Sequence, residues 1–207
     1  MPNDAPARPG IYLATPPQIE LATFPDRLAG VLDAVEIACL RLALATRDED
    51  TISRAADILR DISHARDIPV IIDNHFRLVE RLGLDGVHLT SPRHVRDVRK
   101  ELGKDLVVGA FCGASRHDGM TVAELGADYI SFGPVSADSL LGDGQVAEAE
   151  LFAWWSEMIE IPVVAEGGLT VEAVEALAPV TDFLAFGEDI WATDDPAGAL
   201  RTLLAPL

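Results

Sequence analysis

A chain of 207 residues, 49% of them hydrophobic, has the material for one sizeable core and fits a single domain. Its 34 acidic residues against 16 basic ones give a formal charge of −18, which argues against nucleic acid and anionic membrane surfaces, since both need Lys and Arg to neutralise them. No apolar run reaches the roughly 18 residues of a membrane span.

The opening "MPNDAPARPG" lacks a basic-then-apolar leader pattern, so the chain is expected to be cytoplasmic, with residues 1–9 a flexible Pro- and Ala-rich tail and 10–207 the folded domain. Short apolar runs then follow at "GIYLAT" (Gly10), "VEIACLRL" (Val35), "IPVIID" (Ile68), "DGVHLT" (Asp85), "DLVVGAFC" (Asp105), "DYISFG" (Asp128), "IPVVAEGG" (Ile161) and "DFLAFGE" (Asp182). Helical patterns separate them. Ile52, Ala55, Ala56, Leu59 and Ile62 recur at the spacing of one helix face. Val171, Val174, Leu177 and Ala178 repeat that spacing behind a Thr170 cap. Near-continuous apolar strands alternating with helices are parallel strands covered by helices. Eight such units in this length predict a (β/α)8 TIM barrel, single domain, with its site at the C-terminal strand ends. An open doubly wound sheet is the alternative, but it would rarely need eight units.

Those strand ends carry Thr15, Arg41, Asp73 with Asn74 and His75, His88 with Thr90, Cys112, Gly133, Glu166 with Gly167 and Gly168, and Gly187 with Glu188. The connection after the sixth run, "PVSADSLLGDGQVAEAE", is long enough for a lid. His88 alternates with Val87 and Leu89, so it is read either as a packed, hydrogen-bonded lumen residue or as a ligand contact. Asp73, His75, His88 and Glu166 have the donor types of a Zn or Mn site, although their spacing is not diagnostic. Cys39 and Cys112 sit in apolar runs and read as free, buried thiols. Trp154 and Trp155 are adjacent and cannot both face the core; one is assigned either to a homodimer interface or to ordinary helix packing.

The motifs resemble one family. "IPVIIDNH" is similar to the I-I-N-D-R of the thiamine phosphate synthase and thiazole tautomerase superfamily, and "DGVHL" stands where that family has the same residues. "GADYISFGPV" and "IPVVAEGGLT" match its G-A-D-Y-(I/V)-x-x-G-P-V and I-P-V-V-A-I-G-G-I. The resemblance spans nearly the whole chain. It implies a small-molecule ligand at the C-terminal barrel face and a transferase that joins a pyrimidine methyl diphosphate to a thiazole phosphate, leaving Mg-bound pyrophosphate.

Several family residues differ. The family's Q-x-R-x-K reads "CLRLA", which keeps Arg41 but puts Cys39 and Ala43 in place of the amide and the lysine. One metal aspartate falls on Asn74, with Asp73 beside it as a candidate, and the other falls on Arg93. The lid lysine of T-x-T-K is replaced within Asp138, Ser139, Leu140 and Leu141. The serine after the fifth strand becomes Phe111, and the tautomerase histidine falls near Gly113, with His117 close by. The implied phosphate cradle of Gly167, Gly168 and the turn at Gly187 carries Glu188 and Asp189, which either repel phosphate or cap a short helix starting near Ile190.

These departures give the expectation of a synthase-like barrel, tied to thiamine metabolism, whose active site is remodelled and which needs Mg only if synthase activity is retained. Substrate binding is expected at Arg41, Asp73, Asn74, His75 and His88. The alternatives are a non-catalytic binding or regulatory barrel and an authentic thiamine phosphate synthase with unusual residues.

Overall fold

Val, Ile and Leu dominate short runs in which side chains alternate between helices outside and a lumen inside, and each run becomes one strand of a closed parallel barrel. The computed structural model describes residues 8–207; residues 1–7 of the expected tail lie outside it. The strands are β1 Gly10–Ala14, β2 Cys39–Leu42, β3 Val70–Asp73, β4 Gly86–Leu89, β5 Val107–Phe111, β6 Tyr129–Phe132, β7 Val163–Glu166 and β8 Phe183–Phe186. Closure comes from β1, which pairs with β2 (Ala14↔Arg41) and with β8 (Leu13↔Phe186). The eight-unit reading holds, and the open-sheet alternative does not. No helix of the described residues is long and apolar enough to cross a membrane.

The helices α1 Phe24–Ala34, α2 Glu49–His64, α3 Val79–Leu82, α4 Val95–Leu102, α5 Arg116–Glu124, α6 Ala149–Met158, α7 Val171–Leu177, α8 Glu188–Trp191 and α9 Pro196–Leu203 cover the outside. The Asp48 side chain caps α2 by accepting from the Thr51 N–H at 3.0 Å, and Ile52, Ala55, Ala56 and Leu59 form its buried face. Ser63 completes that face, leaving Ile62 only partly buried, because a 3.6-residue period drifts around a helix this long. Thr170 caps α7 as expected, through the Ala173 N–H at 3.2 Å. Trp155 is fully buried, edge-on to Phe132, and donates its indole N–H to the Ile161 carbonyl at 2.8 Å. Trp154 is half-buried under the Arg116 guanidinium, 4.0 Å from its ring centroid.

The lumen is layered. Its lower layer holds Tyr12, Ile71, Tyr129, Val164 and Ala185. Charged side chains sit above it, toward the C-terminal ends of the strands. At the opposite, N-terminal rim, Asp85, Asp128 and Asp182 each precede a strand and accept the backbone N–H of Val70, Val108 and Val163 at 2.7, 2.8 and 2.8 Å.

Candidate active site

Period-two alternation along β2 sends Leu40 and Leu42 outward into the helix layer and turns Arg41 into the lumen. Its Nη2 donates to Glu166 Oε2 at 2.8 Å, its Nε lies 3.5 Å from Asp73 Oδ1, and its guanidinium covers the Tyr12 ring at 5.5 Å. Burial disfavours the Arg41 charge, but Glu166 and Asp73 outweigh it and hold the guanidinium's pKa well above its usual value. Burial also acts to raise Glu166, yet the Arg41 charge and donated hydrogen bonds from Arg41 and Ser131 keep its carboxyl below the ordinary range. Asp73 fares differently. Burial lifts its pKa to about 6 despite Arg41, with the Glu166 charge adding to the rise. Its Oδ1 and the Arg41 Nε are both buried without a hydrogen-bond partner, since their approach is too poorly aligned to count as one.

His88 is 1% exposed and sits beside this cluster. Its Nδ1 is 2.8 Å from the Tyr129 hydroxyl, and its Nε2 is 3.8 Å from Glu166 Oε1. Burial and the Arg41 charge push its pKa down to about 3, so the ring is neutral near pH 7. His88 is thus packed and hydrogen-bonded, and it also lines the mouth.

Other expected site residues are placed differently. Asn74 stands at the rim with φ 58°, a left-handed conformation that Asn tolerates. It is clipped to the end of β4: its amide donates to Thr90 Oγ1 and its carbonyl accepts from the Thr90 N–H, both at 3.0 Å. His75 starts the 3-10 turn Phe76–Leu78 and lines neither mouth cavity. Among the described residues no three His, Cys, Asp or Glu side chains form a metal-binding group, so the Zn or Mn cluster of Asp73, His75, His88 and Glu166 is not formed. The physical reason is that Asp73 and Glu166 face Arg41 while the turn carries His75 past the rim. Arg93 and His117 are exposed and also line neither cavity. Cys112 is buried and its thiol is raised to about 12, chiefly by burial, which leaves it unreactive.

The mouth has two lobes that share Arg41, Asp73, Glu166 and Leu141. The first, about 520 Å³, is bounded by Thr15, Gly167, Gly168, Gly187, Glu188 and the loop residues Asp138, Ser139 and Leu140. The second, about 580 Å³, is bounded by His88, Thr90, Pro92, Phe111 and the Cys112–Ser115 turn. A larger hollow of about 670 Å³ at the N-terminal face, near Arg8, Glu36 and Arg201, lies far from this charged centre and has none of its chemistry.

Gly167 and Gly168 have φ of 89° and 81°, and a Cβ on Gly168 would stand 2.7 Å from Ser136 Cβ. Their N–H groups donate to no acceptor among the described residues. The Gly167 carbonyl instead takes the Val135 N–H at 2.8 Å, which ties the base of the long loop to the first lobe. On that loop Leu140 is 99% exposed. Glu188 is the exposed first residue of α8, with Gly187 as N-cap, so the helix starts at Glu188 and not near Ile190.

Sequence reasoning missed Tyr12, Tyr129 and Ser131. The signal was the alternation in "DYISFG", which turns Tyr129 and Ser131 to the same, inner face as the neighbouring strands' polar residues.

The chain's relatives share this architecture. The sequence profile described as "Thiamine monophosphate synthase" matches residues 11–188. The Thiamine-phosphate synthase of Rhodospirillum centenum is 38% identical over 190 residues, covering 91% of each chain, and that of Erythrobacter litoralis is 34% identical over 193 residues, covering 90% of each. Among solved structures, a thiamine phosphate pyrophosphorylase from Pyrococcus furiosus superposes with a TM-score of 0.80 at 21% identity, over 95% of this chain and 94% of that one. A 3-hexulose-6-phosphate synthase superposes with a TM-score of 0.67 at 15% identity, over 95% of this chain and 99% of that one. At such identities the structural matches speak for the fold alone. The sequence relatives go further and overturn the expectation of a barrel remodelled away from the family's reaction, because proteins this similar end to end are named as synthases. With its profile match running from within β1 to just past β8, the chain belongs to the thiamine monophosphate synthase family.

Proposed function

We propose that this protein is a thiamine-phosphate synthase. It couples a pyrimidine methyl diphosphate to a thiazole phosphate at the C-terminal barrel face. The bond from the pyrimidine methylene carbon to the diphosphate oxygen breaks, the thiazole nitrogen bonds to that carbon, and pyrophosphate leaves. The observation that carries this reading is the two-lobed mouth, in which two cavities of small-substrate size meet at one buried Arg41–Glu166–Asp73 centre under a long loop.

The first lobe suits the thiazole phosphate, since the Gly167–Gly168 turn lines it and the backbone N–H groups of such a turn are anion donors. The second, edged by Phe111 and Pro92, suits the flat pyrimidine. Arg41, the buried cation shared by both lobes, neutralises the departing diphosphate. The Glu166 carboxylate faces positive charge developing on the pyrimidine methylene. Leu140 and Leu141 of the long loop line the first lobe, and closure of that loop would exclude water, which would otherwise capture that carbon.

The donor set accommodates Mg in a limited way. Asp73 offers a buried carboxylate oxygen without a hydrogen-bond partner at the junction of the lobes, and Mg binds through one or two carboxylates together with substrate phosphates. Asp73 would therefore hold it, while the Asn74 carbonyl is already taken by Thr90. When bound, Mg supplies further neutralisation of diphosphate charge. A cytoplasmic location goes with such charged metabolites.

The test is direct. Purified protein with both precursors and Mg should release thiamine phosphate and pyrophosphate in equal amounts. Absence of both products, with each precursor shown to be intact, would overturn the proposal.

A further inference from the structure

Beneath the mouth, a line of aromatic side chains that the coupling step does not use runs through the barrel. The Tyr12 and Tyr129 hydroxyls are 2.7 Å apart, and the Tyr129 hydroxyl is 2.8 Å from His88 Nδ1. Tyr12, Tyr129 and His88 are only 3%, 7% and 1% exposed, so the two hydroxyls and His88 Nδ1 must find their partners within the line. The seating of the rings is specific. Tyr129 occupies the space over Gly109, where a Cβ would come within 2.0 Å of the ring, and it lies 19° from parallel with the His88 ring.

The direction of the line follows from its upper end. His88 Nε2 faces Glu166 Oε1, and Glu166 is held ionised by Arg41, so that oxygen can only accept. A neutral imidazole has one proton, and the nearby carboxylate favours it on Nε2, where at 3.8 Å it is not hydrogen-bonded to Glu166 and stays free for a ligand, leaving a bare lone pair on Nδ1. Tyr129 O–H must then donate to Nδ1, and Tyr12 O–H to the Tyr129 oxygen.

We infer that Tyr12 and Tyr129 are positioning residues that lock His88 in its Nε2–H tautomer, so that His88 presents one fixed, uncharged hydrogen-bond donor to a heteroaromatic ring nitrogen in the second lobe. A neutral donor suits a neutral acceptor there, while Arg41 supplies the charge that a phosphate needs. The ligand half of this inference rests on the two-lobed reading proposed above. The tautomer half stands on the barrel geometry alone.

Long-range proton–nitrogen correlation spectra of protein labelled with 15N-histidine test it, with His88→Gln used to assign the ring. The wild type should show a protonated Nε2 and a bare Nδ1. Tyr129→Phe keeps the ring but deletes the donor, and should raise the minor tautomer about tenfold, the worth of one hydrogen bond. Tyr12→Phe should have the same effect, but weaker. A protonated Nδ1 in the wild type, or unchanged ring shifts in Tyr129→Phe, would overturn the inference. The wild-type spectrum decides the direction even if that variant does not fold. An added aminopyrimidine methanol should shift Nε2 alone, and failure to bind or binding without that shift would overturn the ligand half. None of these measurements needs turnover, so an inactive wild type would sink the synthase reading and leave this one to be judged separately.

Discussion

The two rims of the barrel use carboxylates in opposite ways. At the N-terminal rim, Asp85, Asp128 and Asp182 sit at equivalent positions ahead of β4, β6 and β8, and each accepts the N–H of a residue at the start of the preceding strand. They are partly solvated, and two of them are also paired, Asp85 with His64 and Asp128 with Arg99. At the C-terminal rim, Glu166 is buried and Asp73 half-buried around a single guanidinium, and Asp73 has a buried oxygen without a hydrogen bond. One rim satisfies its charges and so fastens strands together. The other holds charge under tension, which is what a site must do to meet charge on a substrate.

Arg41→Met should break this contrast most severely. It leaves the buried Glu166 and the half-buried Asp73 unpaired and should cost about 3–5 kcal/mol in urea unfolding at pH 7, along with all coupling activity. A cost below about 1 kcal/mol would mean that the C-terminal rim is as well solvated as the other.

Asp73→Asn should act in the opposite direction on stability. The folded-state pKa of about 6 lies above the ordinary 3.8, so the native state binds the proton more tightly than the unfolded chain and stability is lost as pH rises through that window. The variant should be more stable than the wild type by about 1–3 kcal/mol at pH 7, with the gain vanishing below about pH 4. Turnover should fall at the same time. Equal unfolding midpoints at both pH values would show that Asp73 carries no strain.

Asp182→Ala removes one accepted backbone hydrogen bond at the N-terminal rim. It should cost about 1–2 kcal/mol while the folded fraction keeps its turnover number. A fall in turnover without a fall in stability would erase the division of labour between the rims.

Glu188→Ser should show the smallest effect. Glu188 is exposed beside the Gly167–Gly168 turn, so removing its charge should tighten thiazole phosphate binding only about two- to fivefold, less at high salt. Calorimetric titration at two salt concentrations checks this. Unchanged affinity would place Glu188 outside the phosphate's field.

Much of the fold was legible. The eight apolar runs became eight strands, although each strand begins up to four residues inside its run; the run from Val35 does not enter the sheet until Cys39. A run reports burial, and Ile37 is buried without being paired. Arg41, Asp73, His88 and Gly167 line the mouth, and the strand ends and period-two alternation that put them there are local properties. The position of His75 was misjudged because a turn that leaves the rim has no such period. The reading of a remodelled active site is overturned by the relatives, which favour the authentic-synthase alternative. It weighed a few substituted motif positions, such as Asn74 and Arg93, above similarity that extends along nearly the whole chain.

The sequence by itself determined the number and order of strands, the helix faces and caps, and the side of each strand on which a residue lies, because these depend on neighbours a few positions away. Only the tertiary structure decided which residues meet. Arg41 and Glu166 are 125 residues apart and Tyr12 and Tyr129 are 117 apart, yet each pair is in hydrogen-bond contact. Barrel closure brings them together, and closure fixes the rotation of all eight strands at once, so no local pattern along the chain records which inward side chains share a layer.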